Sequence, residues 1–237
     1  MSESIRNRAE FGSRSEGKSF LLAAAVALVL AGSARAAGGE PKHDFKPPDE
    51  ALARSIALKR SDLPRGYQAA TSSDPEPEAS GPHCKGKPDE SDLTLTGKIV
   101  SRQFFGPKDS SPNFFSGASV FRSAGQAQTA FQREMRAELA RCMTQTTISD
   151  FASGAISLKL ALVSQTLKPL SGLGGLAATL RLVFKPVDTP RLHFAEDLLV
   201  LRKGRVEAWL VAKFLVNLQT RFAFEQRLLA KLAARMP

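Results

Sequence analysis

The chain has 237 residues, of which 43% are apolar, and it carries a formal net charge of +10 at neutral pH. A chain of this length and apolar content can bury a sizeable core in one domain. Its positive charge bears on partners and solubility and excludes no fold. Only two cysteines occur and they form no Cys-x-x-Cys motif, which argues against a redox-active role.

Residues 1–36 have the three parts of a secretory signal peptide. A basic segment with Arg6 and Arg14 precedes an apolar run, Phe20 to Gly32, and Ala34-Arg35-Ala36 places small residues where signal peptidase reads. A membrane anchor is the alternative interpretation, but a span needs about 20 apolar residues and this run is shorter. We therefore predict cleavage near Ala36 and an exported product with no stable membrane span.

The end of the apolar run, Leu30-Ala31-Gly32-Ser33, resembles a bacterial lipobox with serine where the lipidated cysteine would stand. Without that thiol the lipid has no attachment site, so we expect an extracellular or envelope protein that is not lipid-anchored. Residues 37–48 are polar and contain proline and glycine, which predicts a tether with little to pack. Removing residues 1–36, which hold five basic and three acidic side chains, would lower the net charge to +8.

The two cysteines, Cys84 and Cys142, are predicted to form a disulfide, because export to an oxidising compartment makes pairing the default for a lone pair. Free thiols and metal ligation are the alternatives. In the chain-entropy model, closing a loop of this length would stabilise the fold by about 4 kcal/mol.

The first elements after the tether are a short helix, a long loop and a strand. Asp49 is placed to cap a helix that ends before Pro64. Residues 71–90 contain proline, serine, glycine and charge without a period, which indicates a surface loop. Thr94 to Phe105 alternates loosely and predicts a strand, with Gly97 as a possible bulge.

The next stretch, Phe114 to Cys142, combines a strand, a cap and an amphipathic helix. Its first eight residues have the aromatic and β-branched weighting of a strand. Ser123 and Gln126 have the spacing of a capping box, in which the hydroxyl accepts from a backbone N–H and the amide reaches back. The apolar residues that recur at helical spacing, on the same side as Cys142, are Ala127, Phe131, Met135 and Leu139.

Beyond this helix, alternating patterns and turn residues predict four strands, two turns and a terminal helix. The strands are Ile156–Leu162, Ala178–Lys185, Leu198–Arg202 and Arg205–Phe214. The turns are Ser171–Gly175 and Lys203-Gly204, where glycine supplies the positive φ. The terminal helix, Arg221 to Met236, has Phe224, Leu228 and Leu232 at i, i+4 spacing.

Runs of strands with helices set to one side, and hairpin-length links between the later strands, favour an α+β fold over alternating βαβ units. We predict one α+β domain over residues 49–237, with a twisted antiparallel sheet of about six strands and two main helices. Residues 1–36 and 37–48 complete the organisation as signal peptide and tether.

Several segments resemble the PknH-like extracellular sensor domain of actinobacterial exported proteins and lipoproteins. The matching positions cover most of the mature chain and are Leu58–Gly66 (LKRSDLPRG), Cys84, Leu93–Gly97 (LTLTG), Phe104, Ser119–Phe121, Ala140–Cys142, Leu173-Gly174, Arg202–Gly204 and the terminal helix. The resemblance implies a twisted antiparallel sheet with two main helices. Two departures matter, because Gly175 stands where family members often have an acidic residue, and the second cysteine pair of some members is absent. No ligand role is carried over to those positions.

The motifs of enzymes and cofactor sites are weak or absent in this sequence. The Gly172-x-Gly174-x-x-Ala177 spacing matches a loose dinucleotide fingerprint, but the following residues alternate as a strand where the fingerprint needs a helix. The histidines have no metal-ligand spacing, and no Gly-x-Ser-x-Gly elbow supplies a nucleophile. His193 and Asp197 would share a strand face as a base and its orienting acid, without a nucleophile. We predict no enzyme activity, no metal site and no cofactor.

Four side chains are the candidates for a functional role. Glu138 falls within the apolar helical stripe, where burial would raise its pKa, but we favour its pairing with Arg141 at the helix edge. Trp209 has two interpretations. It packs beneath a covering helix or loop, or it lines a wall of a ligand cleft. Together with Arg181 and His193, Trp209 forms the set of candidate ligand-binding residues.

These observations lead to the hypothesis of an exported, disulfide-stabilised, non-enzymatic binding or sensor-like module for an unknown small molecule. Two alternatives stay open. One is an envelope-associated basic protein that binds acidic wall polymers, and the other is a secreted hydrolase with an unrecognised site. The basic side chains are dispersed and are not interleaved with aromatic ones, so nucleic-acid binding is not predicted.

Overall fold

A nine-stranded sheet runs through the part of the chain that the computed structural model describes, residues 39–70, 88–107, 111–153, 158–188, 191–215 and 222–237. The strands are β1 (Lys42–His43), β2 (Gln68–Ala69), β3 (Thr94–Val100), β4 (Phe104–Phe105), β5 (Asn113–Phe121), β6 (Leu160–Leu170), β7 (Leu176–Pro186), β8 (Phe194–Lys203) and β9 (Val206–Leu215). The helices are α1 (Pro47–Ile56), α2 (Ala124–Glu134), α3 (Ala137–Ser153) and α4 (Phe222–Ala233). All of these elements belong to one unit of the chain, Arg35–Pro237.

Neighbouring strands of the sheet are antiparallel with one exception. The main order is β1-β3-β5-β9-β8-β7-β6, β4 pairs with β5, and β2 pairs with β4. The pair β1–β3 is parallel, and every other described pair is antiparallel. The last strand along the chain, β9, lies between β5 and β8 in the middle of the sheet. The predicted α+β class is confirmed.

The predicted number of six strands is wrong, because the sheet has nine. The strand predicted over Thr94–Phe105 is divided into β3 and β4, and residues 101–103 between them are not part of the sheet. β1 and β2 have two residues each, which is too short to leave a periodic pattern in the sequence. The described residues also form four α-helices, where two main ones were expected.

Helices cover both faces of the sheet. One face, here called the α4 face, carries α1 and α4 over a core that includes Phe114, Leu199 and Leu210. The other face, the α3 face, carries α2 and α3, and its core includes Leu182 and Phe184. Because successive side chains of a strand point to opposite faces, β7, β8 and β9 contribute to both cores.

The segment predicted as a tether, residues 37–48, is partly bonded to the sheet. Lys42 N donates to Leu93 O at 2.9 Å, and Lys46 N donates to Thr96 O at 2.7 Å. These are backbone hydrogen bonds, which require no side-chain pattern. The polar composition of the segment therefore did not reveal its pairing with β3.

α1 begins at Pro47, in keeping with the preference of proline for the first turn of a helix. The predicted cap Asp49 consequently lies inside that turn, where it accepts hydrogen bonds from Arg205 at 2.8 and 2.5 Å. These bonds hold the pKa of the Asp49 carboxyl below its ordinary value.

The pairing register of β3 shifts at Gly97, which confirms the predicted bulge. A Cβ at this position would lie 2.4 Å from the Asp49 backbone. Glycine at this position allows α1 to approach the sheet.

The single helix predicted up to Cys142 is two helices, because α2 ends at Glu134 and α3 begins at Ala137. Ser123 caps α2 as predicted, and its hydroxyl accepts from Gln126 N at 3.2 Å. The Gln126 side chain instead accepts from the backbone N–H at the start of β3, at 3.1 Å. Half of the predicted capping box therefore forms, and the other half is replaced by a bond to the sheet.

Cys142 is buried on α3, with 1% of its surface exposed, as the apolar stripe predicts. Its predicted partner, Cys84, lies outside the described residues, so the disulfide stays a prediction. We expect mass spectrometry of unreduced peptides, from protein recovered from culture medium, to find Cys84 linked to Cys142, because an oxidising compartment favours the bond. Two alkylatable thiols in the same material would contradict the pairing.

The later elements follow the predicted order with shifted bounds. The strand predicted over Ile156–Leu162 corresponds to β6, which begins at Leu160, while residues 154–157 lie outside the described part. β8 and β9 form the predicted hairpin, with Gly204 at a φ of 57°. α4 buries the apolar stripe that its periodicity predicts. Within the described ranges, none of the helices is both long and apolar enough to cross a membrane.

Candidate ligand-binding site

Arg181 lies in the middle of β7 and pairs in register with Asp197 of β8. Asp197 pairs in turn with Ala212 of β9, which belongs to the core of the α4 face. Side chains of directly opposed residues in an antiparallel sheet point to the same face. The register therefore brings an arginine and an aspartate together beneath the start of α4.

The guanidinium of Arg181 binds the carboxylate of Asp197 through two nitrogens. Nε donates to Oδ1 at 2.7 Å, and Nη2 donates to Oδ2. Such a fork-on-carboxylate pair is stronger and more directional than a single hydrogen bond. The Asp197 side chain is completely buried, whereas 33% of the Arg181 side chain is exposed. Asp197 also raises the pKa of the Arg181 guanidinium, mainly through these hydrogen bonds.

A second acid, Glu225, completes the cluster from the first turn of α4. It is 1% exposed, and burial together with the neighbouring Asp197 raises its pKa to about 9. Glu225 is therefore protonated at neutral pH and can donate a hydrogen bond to the carboxylate of Asp197. Among the described residues, its Oε2 atom has no hydrogen-bond partner.

Two aromatic rings lie close to the guanidinium of Arg181. The guanidinium carbon lies 5.6 Å from the ring centroid of Phe214 and 5.7 Å from that of Phe222. Both distances fall within the range of cation–π attraction. The aspartate and the rings hold the guanidinium in one orientation, and Asp197 leaves its third nitrogen, Nη1, unengaged. This arrangement can present a fixed cationic donor to an anionic or polar group from solvent.

The structure separates two of the three predicted ligand-binding residues, Trp209 and Arg181. Trp209 lies on the α3 face, where it packs edge-on against Phe115 with ring centroids 5.7 Å apart. It also closes over Gly117, where a Cβ would lie 2.3 Å from the indole ring. Arg181 is on the opposite face, so the two side chains do not line one cleft.

His193 immediately precedes β8 and is partly buried. Both carboxylate oxygens of Asp197 are engaged by Arg181. The carboxylate that was considered as an orienting acid for His193 is therefore bound to Arg181. Asp197 orients a guanidinium and not an imidazole.

Glu138 pairs with Arg141 at the helix edge, as favoured from the sequence. Its side chain is 48% exposed and accepts a hydrogen bond from Arg141 at 3.1 Å. The apolar stripe that would have buried Glu138 assumed one continuous helix, whereas α3 begins separately at Ala137. The desolvated carboxylate, which was the other interpretation, is not found.

Two of the buried acids, Glu225 and Glu207, were missed by the sequence reasoning. Glu225 precedes Leu228 and Leu229 by one helical turn, so the apolar stripe of α4 carried a signal for it. Glu207 shares a strand face with Trp209. It is 2% exposed, and burial raises its pKa well above the ordinary value. α2 and β5, which cover it, are remote in sequence, so the strand pattern carried no signal.

The described residues contain no group of three or more His, Cys, Asp or Glu placed to hold a metal ion. Gly172 and Gly174 have positive φ values of 79° and 71° in the turn between β6 and β7. The strand β7 follows this turn, as predicted, so the glycines are not followed by the helix N-terminus that a dinucleotide fingerprint requires.

The site can be set against known proteins at this point. A scan of protein-family models finds no match to the chain, and a search of curated proteins finds no relative. The resemblance to the PknH-like sensor domain therefore stays a prediction from the quoted sequence segments.

Proposed function

We propose that the protein is an exported, disulfide-stabilised, non-enzymatic binding module, and that Arg181 receives the anionic group of a small ligand. The observation that carries this proposal is the fixed guanidinium of the partly exposed Arg181 side chain, close to the rings of Phe214 and Phe222. An orientation set in advance lowers the entropy that a ligand must lose on binding. Phe222, which is partly exposed, offers apolar surface beside the charge, so the expected ligand combines an anion with an apolar body.

The two buried acids of the cluster, Asp197 and Glu225, are suited to positioning the Arg181 guanidinium and not to catalysis. Asp197 gives both oxygens to Arg181, and Glu225 holds its proton at neutral pH. Neither acid is arranged to withdraw a proton from a bound molecule. Asp197 holds the guanidinium directly, and Glu225 is positioned to donate a hydrogen bond to Asp197.

A titration with benzoate tests the site, because this probe combines a carboxylate with a ring. We expect saturable NMR shifts of the Arg181, Asp197 and Phe222 amides with benzoate and none with benzamide, its neutral counterpart. Arg181→Lys should weaken benzoate binding about tenfold, because lysine keeps the charge and loses the rigid fork.

Arg227 provides the matched control for this experiment. It is exposed on α4, and its guanidinium lies 5.6 Å from the Phe224 ring. It also lines a groove of about 360 Å³ between α4 and the β6–β7 turn, together with Ser171 and Gln226. Arg227→Lys should leave benzoate binding unchanged. If Arg227→Lys abolished benzoate binding and Arg181→Lys did not, the binding site would be the groove and not Arg181.

A basic protein that binds acidic envelope polymers is the second candidate, favoured by the net charge of +10. Its binding would depend steeply on salt, since exposed charges are screened within about 8 Å at physiological ionic strength. Co-sedimentation with an envelope fraction at low and high salt separates the two proposals. Salt-sensitive co-sedimentation that Arg181→Lys does not change would support binding to acidic envelope polymers.

A further inference from the structure

β6 is the last strand in the sheet order, and it pairs with β7 on one side. In the part of the chain that the structure describes, no element lies beyond its other side. The strand has 11 residues, which is long for an edge strand. The outer backbone groups of such a strand form a template for pairing with another chain.

Exposed apolar side chains concentrate at this edge. Of the six large apolar side chains exposed in the described residues, five lie on β6 or at the two ends of β7. They are Leu162, Val163, Leu167, Leu176 and Val187, with exposures of 39%, 47%, 45%, 45% and 56%. Natural proteins usually protect an edge with charge, so this composition indicates an interaction surface.

Two of these side chains extend the core of the α3 face outward. Leu162 pairs in register with Phe184, and Leu167 pairs with Leu180. Both partners belong to the buried cluster beneath α3. A strand added beside β6 would therefore continue an existing apolar layer and would bury both leucines.

The charge of the edge favours an acidic partner over a second copy of the chain. β6 contains Lys168 and no acidic residue, Lys159 immediately precedes it, and Lys185 lies on the neighbouring β7. A second copy would bring the same lysines and its own excess of positive charge. A segment with acidic and apolar residues would neutralise the lysines and cover the leucines.

Two features limit where such a segment can pair. The register of β6 shifts between Leu162 and Ser164, and Pro169 near the other end has no N–H to donate. The stretch of regular backbone between them is Ser164 to Lys168. A partner therefore needs about six residues in extended conformation, which is typical of strand addition.

We propose that β6 is a docking edge for an extended segment of another protein in which acidic and apolar residues alternate. The segment pairs with Ser164–Lys168 and adds a tenth strand to the sheet. Thr166 of this stretch pairs in register with Arg181, so the edge adjoins the Arg181 site, but strand pairing through the backbone does not require a ligand at that site.

The test uses the full chain and three labelled decapeptides, in which glutamate alternates with valine, glutamate alternates with glycine, or lysine alternates with valine. Fluorescence polarisation should show saturable binding of the valine–glutamate peptide alone. Backbone amides of Ser164–Lys168 should gain protection from hydrogen exchange in the same complex. No binding, or equal binding of the glycine–glutamate peptide, would overturn the proposal, because charge alone would then explain the affinity.

Variants locate the binding on the chain. Leu167→Glu should weaken binding of the valine–glutamate peptide about tenfold or more, and Lys168→Glu should weaken it by a similar factor. Phe45→Glu is the matched control, because Phe45 is 42% exposed and follows β1 at the opposite edge of the sheet. Equal loss in the control would overturn the assignment to β6. Dimerisation of the chain in sedimentation experiments that Leu167→Glu abolishes would also overturn it, since the edge would then belong to a second copy.

Discussion

Replacing Arg181 with glutamine is expected to lower the free energy of unfolding by about 3 kcal/mol at pH 7. The substitution leaves the carboxylate of Asp197, whose side chain is completely buried, without its cationic partner. Removing one member of a buried ion pair typically destabilises a protein by about 3–5 kcal/mol. We place the effect at the lower end because one third of the Arg181 side chain is exposed. Urea unfolding monitored by circular dichroism measures the change.

The double variant Arg181→Gln with Asp197→Asn should recover much of this loss, since no buried charge is then left unpaired. The matched control is Arg141→Gln, which breaks the exposed pair with Glu138. Exposed pairs contribute about 0–1 kcal/mol, so this control should change stability little. Equal effects of Arg181→Gln and Arg141→Gln would contradict the role assigned to the buried pair.

The protein is expected to be more stable at pH 5 than at pH 7, by about 2–3 kcal/mol from Glu225. The pKa of Glu225 is about 9 in the folded protein, whereas the ordinary value of a glutamate, about 4.5, applies to the unfolded chain. Between these values the unfolded chain releases the proton while the folded chain keeps it, so stability falls as pH rises. Each pH unit inside this window contributes about 1.4 kcal/mol. Urea unfolding at several pH values between 5 and 8 measures the slope.

The other acids with shifted pKa values do not reverse this dependence of stability on pH. Burial also raises the pKa of Glu207, so Glu207 contributes a further fall in stability as pH rises. Asp49 has a lowered pKa, and its contribution to stability is lost only as pH falls below its ordinary value of 3.8. The predicted decline between pH 5 and 8 therefore comes from the two buried glutamates.

Glu225→Gln should remove much of this decline and raise stability at pH 7 by about 2 kcal/mol. Glutamine keeps a donor for Asp197 and has no charge to desolvate. Glu138→Gln is the control, because Glu138 is exposed and pairs with Arg141 in solvent. An unchanged pH profile in Glu225→Gln would refute the assignment of the buried proton to this residue.

The candidate site was only partly predictable from the sequence. Arg181 was identified as a candidate, but its partner Asp197 is 16 residues away and was considered only as an orienting acid for His193. Register between β7 and β8 decides that pairing, and a shift of one residue would move Arg181 to the other face. Glu225 reaches the cluster from α4, whose position on the sheet follows from burial of its apolar stripe.

The sequence by itself determined the elements whose pattern is local. The strand β5, the hairpin around Gly204 and the stripe of α4 were each predicted, because alternation, turn chemistry and helical spacing act over a few residues. Tertiary structure alone decided that β9 lies in the middle of the sheet, that the chain before α1 pairs with β3, and that Arg181, Asp197 and Glu225 meet. The physical reason is that strand order, backbone pairing and buried charge depend on which remote segments cover each face, and no short-range pattern records that choice.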